Sequence, residues 1–170
     1  ECILKKINPK SLNERTRHKL ELLMAISGVT TTPLSIIDTK GGDVLHAMRT
    51  SDQGYSGFGE AYFSTIEPKA IKGWKRHTQM VLNLVVPIGS VRFILYDDRE
   101  NQDNINQFQE VILSIADDYA RLTVPPMIWV GFQGLSRQAS LVLNIANMEH
   151  SLEEIDRKEL EEIKFNWSKY

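Results

Sequence analysis

Phe58-Gly59-Glu60-Ala61-Tyr62-Phe63-Ser64-Thr65, then Gly73-Trp74-Lys75-Arg76-His77, then Met80-Val81-Leu82-Asn83-Leu84-Val85-Val86: the reading of these three stretches decides the fold. The first alternates, the last is a long apolar run, and the pentad between them sits at the mouth of two expected strands. Successive side chains of a strand point to opposite faces. Glu60, Tyr62 and Ser64 therefore share one face of the first strand, and Ala61, Phe63 and Thr65 the other. A face bearing an acid, a phenol and a hydroxyl is unlike a hydrocarbon core. It fits either the exposed surface of a sheet or the lining of a polar barrel interior, since β-barrel mouths are where ligands sit.

The same texture extends on both sides. Short apolar runs at 34–37, 44–49, 91–97, 108–114, 128–132 and 140–145 read as strands, broken by Gly41-Gly42, by Ser51-Asp52-Gln53-Gly54 and by a tight Pro87-Ile88-Gly89-Ser90 turn. Strands spaced by turn signals, with no helices between them, indicate an antiparallel sandwich or barrel rather than βαβ units. The loop 100–104 is polar and reads as a mobile connection. Both ends read as helices. Ser11 with Glu14 forms one candidate capping box, with Gly28 as the stop and Leu20, Leu23 and Met24 on a narrow face. Ser151 with Glu154 forms another, followed by a stripe of Leu152, Ile155, Leu160 and Ile163, and its Glu/Asp/Lys run reads as a solvated face. The expected architecture is mainly β: an antiparallel barrel with N- and C-terminal helices, residues 1–30 a helical extension and 31–170 the main domain.

Composition narrows the function classes. The 170 residues are 42% hydrophobic and 25% charged, ordinary for a globular protein. A net charge of -2 argues against a general nucleic-acid binder. No apolar stretch approaches the ~20 residues that span a bilayer, and Glu1 to Lys6 leads into polar sequence unlike a secretory leader. The one cysteine, Cys2, makes no internal disulfide. A cytoplasmic location, with neither membrane nor nucleic acid as partner, is expected.

The histidines are His18, His46, His77 and His150. A metal-dependent small β-barrel needs two histidines one residue apart; here Lys75 stands in the first position, and an ammonium is a poor ligand beside a cation. No metal site is expected. An isolated histidine is most often a surface residue, yet His77 has the near-neutral intrinsic pKa of a general base. Lys75, two residues away on the same face, is placed to stabilise a developing enolate. Trp74 is open to a packing role or a binding role. Gly41-Gly42 lacks the pattern of a phosphate loop, and Gly134-Leu135-Ser136-Arg137 is not a nucleophile elbow.

Four segments in order carry a family resemblance: Gly42-Asp43-Val44-Leu45-His46, Lys72 to His77, Gly89 to Arg99, and Arg121-Leu122-Thr123-Val124-Pro125 with Gly131-Phe132. From about residue 33 to 167 the chain resembles the dTDP-4-dehydrorhamnose 3,5-epimerase family, whose members are cupin-type jelly-roll barrels. The resemblance implies proton chemistry beside a ketone: a base removes a hydrogen at C3 or C5 of a nucleotide-linked 4-keto-6-deoxyhexose, an enolate forms, and an acid returns the proton to the opposite face. It implies no cofactor, and a homodimer.

The family's residues match in part. Its base histidine falls on Lys75, so His77 takes the place of a glutamine. Its enolate lysine falls near Leu82 or Asn83, and its tyrosine acid near Leu143. Lys72 replaces an arginine that meets the nucleotide phosphates, and Trp129-Val130 replaces an alanine-histidine pair. In the related 3,4-ketoisomerases, which carry Arg-Gly-x-His-x-His, His77 matches the second histidine. The expected catalytic set is His77 as base, with Lys75, Tyr62 or Tyr96 as proton donor or enolate stabiliser. The expected substrate contacts are Lys72, Glu60, Trp74, Asn83, Arg92 and Trp129. The expected activity is epimerisation, at C3 in preference to C5, in surface-polysaccharide (O-antigen) sugar synthesis. A 3,4-ketoisomerase and a non-catalytic sugar-nucleotide-binding barrel are the alternatives.

Overall fold

The computed structural model describes residues 25–100, 107–117 and 119–170. Two five-stranded antiparallel sheets face each other. The first runs in the order β1 (Thr30–Pro33), β9 (Ala120–Val124), β6 (Leu82–Ile88), β11 (Ser140–Ala146), β4 (Glu60–Ile66). The second runs β12 (Ile155–Arg157), β5 (Ile71–His77), β10 (Trp129–Gly134), β7 (Ser90–Asp97), β8 (Gln107–Ser114), and a separate pair joins β2 (Ile36–Ile37) to β3 (Val44–Leu45). This is the mainly β, antiparallel fold expected, and it is consistent with a cupin-type barrel.

Strand parity builds the core. Leu82, Leu84 and Val86 of β6 meet Val91, Phe93 and Leu95 of β7 and Val130 of β10 between the sheets. The alternate residues Ile94 and Trp129 face the other way and join Trp74 and Ile163 in a second cluster on the outside of the second sheet. Each fully buried large side chain there contributes on the order of 2 kcal/mol of transfer free energy. The chain passes between the sheets at Gly89, whose φ of +84° favours glycine and whose position faces the Ser140 hydroxyl too closely for a side chain.

Three expectations need correction. The carboxy-terminal segment is not a helix. Ser151 Oγ accepts from the Glu153 N–H and caps a single 3-10 turn at Leu152–Glu154. The chain then leaves as β12, antiparallel to β5, and packs Leu160, Ile163, Phe165 and Trp167 against the outer cluster. A capping pair fits a short turn as well as a helix, and here the edge of β5 supplied the better partner for the backbone. The strand expected at 44–49 stops at Leu45. Beyond it the backbone loops over the first sheet, where the buried Arg121 guanidinium donates to Ala47 O, Gln53 O and Asp52 Oδ2 at 2.7–3.0 Å. The run 120–124, read in sequence only as part of the family match, is a strand buried along its whole length. The amino-terminal helix and most of the loop 100–104 lie outside the described residues. Among the described residues, no helix is long and apolar enough to cross a membrane.

Candidate active site

Strand β5 makes the site. Against β10, Val130 pairs with Lys75 and Phe132 with Lys72, so three steps on β5 oppose two on β10. An extra residue in one strand re-aims the side chains beyond it. The bulge thereby brings Lys72 to the face of Lys75 and His77 despite their odd spacing. The two backbones are close here, and a Cβ on Gly73 would lie 2.9 Å from Gly131 Cα.

These three side chains line a cavity of about 520 Å³ between β4, an edge of the first sheet, and β5, which stands one strand in from the β12 edge of the second. Tyr62 and Ser64 of β4 and Asn144 of β11 form the opposite wall, and Leu82, Leu84, Phe93, Val130, Phe132 and Val142 line the rest with hydrocarbon. Arg157, the last residue of β12, and Lys158 and Glu159 after it border the cavity from the strap, the carboxy-terminal segment from Ser151 onward. Asn144 Nδ2 donates to Tyr62 Oη at 3.1 Å, and Lys72 Nζ donates to Thr65 O at 2.6 Å.

His77 is 4% exposed and Glu154 2%, and Nδ1 of the imidazole is hydrogen-bonded to Glu154 Oε1. The second carboxylate oxygen accepts the N–H groups of Gln79 and Met80, both at 3.3 Å. A carboxylate fixed on Nδ1 sets the tautomer and leaves Nε2 for a substrate. Burial pushes the His77 pKa below its ordinary value, outweighing the hydrogen bond and charge of Glu154 that pull it up. Burial also opposes the Glu154 carboxylate, but the His77 hydrogen bond and the two backbone donors prevail and hold it below the usual carboxylate range. Lys75 is shifted down as well, by burial first and then by the neighbouring Arg157 and Lys72 cations, with Glu154 opposing.

Of the expected catalytic residues, the cavity thus brings together His77, Lys75 and Tyr62, with Lys72 among the expected contacts. Parity removes others. Tyr96 and Arg92 lie on the outer face of β7: Tyr96 packs on Phe108 at 4.7 Å, and Arg92 donates to Glu110 and Gln133 and is covered by Phe165 and Tyr170. Trp129 is also outside, its ring 4.5 Å from each of the Arg76 and Lys158 cations and its Nε1 donating to Asp98. Trp74 borders the cavity, but its indole packs on Trp167 at 5.4 Å in the outer cluster. Asn83, between the inward Leu82 and Leu84, turns to Thr123 and the Gly54 carbonyl. Glu60 has the inward parity of Tyr62 but does not line the cavity, and its buried Oε1 has no hydrogen bond among the described residues.

Sequence reading named none of Glu154, Asn144 and Arg157 as site residues, and it set Ser64 on the face of Tyr62 without naming it as one. Glu154 lay in a charge run that looked like a solvated face. The alternation Ile155-Asp156-Arg157 was the available sign that the run was a strand edge.

No protein-family model matches the chain. It is 34% identical to a dTDP sugar isomerase from Desulfovibrio desulfuricans G20, with a TM-score of 0.82 over 85% of this chain and 94% of that one. The chain belongs to the dTDP-4-dehydrorhamnose 3,5-epimerase-like family of sugar-nucleotide epimerases and isomerases. A dTDP-4-dehydrorhamnose 3,5-epimerase from Bacillus anthracis str. Ames, solved with TDP and pyrophosphate bound, shares the fold with a TM-score of 0.72 at 18% identity, over 84% of this chain and 86% of that one. Among curated proteins, the chain is 23% identical over 101 residues to a probable low-salt glycan biosynthesis epimerase from Haloferax volcanii, a match that spans 59% of this chain and 64% of that relative.

Proposed function

We propose that this protein epimerises a nucleotide-linked 4-keto-6-deoxyhexose at one carbon beside the ketone, C3 in preference to C5. The observation that carries this reading is the buried His77–Glu154 pair bordering the same cavity as Lys75 and Tyr62. Epimerisation beside a carbonyl needs a base on one face, an acid on the other, and a group that takes up the charge on oxygen. His77 removes the hydrogen through Nε2, and Glu154 stabilises the imidazolium that forms. Lys75, on the same strand, activates the carbonyl. Tyr62, across the cavity on β4, returns the proton, and the Asn144 donor on its oxygen leaves the phenolic hydrogen free to be given. With one base and one acid of this kind in the cavity, inversion at a single carbon is the economical outcome.

The Lys72 and Arg157 cations along the cavity suit a diphosphate. The nucleotide is thymidine by analogy with the relatives. We assign the enzyme to sugar synthesis for surface polysaccharide such as O-antigen, and its working form to a homodimer.

The test is incubation with dTDP-4-keto-6-deoxyglucose in D2O, followed by NMR. The expected result is deuterium at C3 with an inverted product; His77→Asn should cut the wash-in about 10²–10⁴-fold while nucleotide binding persists. A fully active His77→Asn refutes the assignment of the base. The similarity to a dTDP sugar isomerase favours a second reading, transfer of the carbonyl from C4 to C3 by the same enolisation, which the same spectra distinguish by the position of the ketone.

A further inference from the structure

Lys75 has an environment that an ordinary cationic contact does not explain. It stands half-buried in the cavity wall. Among the described residues no carboxylate forms an ion pair with it, although the neighbouring Arg76 has two such partners, Asp98 and Asp156. Glu154, the one acid that acts on it appreciably, is held by His77 and two backbone N–H groups. The groups facing Lys75 from the packed elements are mostly cations: Lys72 on its own strand, and Arg157 directly across the β12 register. Tyr62 faces it from β4, and Val130 is its partner on β10.

Such surroundings favour the free amine, since burial and like charge both disfavour the ammonium. The deprotonated fraction of such an amine has no charge to offer an enolate oxygen. What it offers is a lone pair, and the nucleophilic lysines that attack carbonyls are made this way, by desolvation or by an adjacent cation. Two residues along a strand set the Lys75 and His77 backbones roughly 7 Å apart, a gap that the long lysine side chain can span to bring its amine beside the imidazole. The lysine can then meet the carbonyl carbon while the histidine meets the hydrogen on the next carbon.

We propose that Lys75 activates the substrate covalently, as a ketimine with the sugar ketone. This rests on the keto-sugar reading above. The Nζ lone pair attacks C4, the nitrogen loses a proton and the carbonyl oxygen gains one, giving a carbinolamine. A further proton on the hydroxyl lets it leave as water, and the C4–N bond becomes a cationic double bond. His77 removes the hydrogen from the adjacent carbon and the electron pair runs into this iminium to give a neutral enamine. Tyr62 protonates the enamine on the opposite face. Water adds back to C4, the amine leaves, and the ketone and the proton are restored. The iminium replaces the oxyanion as the electron sink.

Two measurements on the intact protein test this. The first incubates it with dTDP-4-keto-6-deoxyglucose and sodium cyanoborohydride, which reduces iminium in preference to ketone, and maps the adduct by peptide mass spectrometry. The second runs the reaction in H2¹⁸O and follows the C4 oxygen, because each passage through an imine expels it. Expected are irreversible loss of activity that requires the sugar, a single adduct on the Lys75 peptide, and one ¹⁸O gained per turnover. Lys75→Arg, which keeps the charge but forms no ketimine, should lose the adduct, the oxygen exchange and the deuterium wash-in together. Wash-in at C3 without adduct or enzyme-driven ¹⁸O exchange would overturn the ketimine and leave the proposed function standing. Absence of both wash-in and adduct would overturn the proposed function and the ketimine with it.

Discussion

Replacing Glu154 by glutamine isolates what the buried carboxylate does. Its two oxygens have separate tasks: Oε1 holds His77 Nδ1, and Oε2 accepts the Gln79 and Met80 N–H groups. A glutamine of the same shape has one acceptor oxygen. Turned toward Nδ1, it leaves its NH2 facing two backbone donors; turned the other way, it presents the NH2 to the imidazole and forces the opposite tautomer. Either orientation also removes the charge that stabilises the imidazolium formed when His77 takes a proton. A hydrogen bond to a charged partner contributes about 1.5–3 kcal/mol. With 1.36 kcal/mol per decade of rate, Glu154→Gln should slow deuterium wash-in by about 10–100-fold. Loss of the backbone acceptor should cost a further 1–3 kcal/mol of stability, roughly, read in denaturant.

The assay is wash-in at saturating substrate, with the ring ¹⁵N shifts of His77 recorded in parallel to read its tautomer. The variant should show a lower kcat at nearly unchanged KM, since the carboxylate acts on the transition state and touches no substrate. Because Glu154 pulls the His77 pKa upward against burial, its removal should move the acid limb of the pH profile to lower pH. Wild-type kcat with an unshifted acid limb in a folded Glu154→Gln protein would refute the assignment of His77 as base and Glu154 as its support.

Tyr62→Phe should retain exchange at the abstracted position, because His77 can return the hydrogen it removed, but lose inverted product by about 10²–10⁴-fold; chiral analysis of the deuterated sugar reads the two separately. Stability should fall as the medium is acidified. The His77 pKa is depressed in the fold, so its contribution is present above 6.5 and is lost as pH drops through the lower folded value, with Glu154 adding a later loss below 4.5. Tm measured between pH 7 and 5 should therefore decline more steeply in wild type than in His77→Asn, and a wild-type Tm that rises in this range contradicts the burial argument. Gly131→Ala should destabilise by about 1–3 kcal/mol in urea, since the new Cβ would lie 2.9 Å from Trp167 Cη2 and 3.1 Å from Trp74 Cε3, both in packed rings.

Much of this molecule was legible where period and chemistry coincided. Strands β4, β7, β8, β10 and β11 follow from alternation and turn residues, and parity alone placed Tyr62, Ser64 and Glu60 on one face of β4. The same parity, applied to β7 and β10, would have placed Arg92, Tyr96 and Trp129 outside; their chemistry suggested a site where their position did not. Polar and aromatic residues on the outer face read as binding groups because nothing in the local sequence announces the strap that covers them. That strap was the hardest element to read. Its capping pair, acidic run and apolar spacing satisfy a helix locally, while the interactions that make it a strand come from β5, about 80 residues earlier. Lys72 was expected in the site for a different reason, the family match, and only the bulge opposite Gly131 explains how it shares a face with Lys75.

The strap also explains how a lysine and a histidine two residues apart can have complementary chemistry. In the register of β12 on β5, Ile155 pairs with His77, Asp156 with Arg76 and Arg157 with Lys75. Alternation sends Asp156 to the outer face, where it holds Arg76 at 2.7 Å. It leaves Arg157 beside Lys75, while the preceding turn delivers Glu154 to His77. A slip of one residue would exchange the faces, setting Asp156 beside the amine and moving Arg157 outward. An acid in that place would hold Lys75 as an ammonium, fit for charge stabilisation and unfit for attack on a carbonyl. The observed register does the reverse for each group: it gives the histidine a carboxylate that favours its protonation, and the lysine a cation that opposes it. The register of the three-residue strand therefore sets the charged neighbours of both side chains, and in the proposed mechanism the base and the amine are tuned by the same backbone pairing.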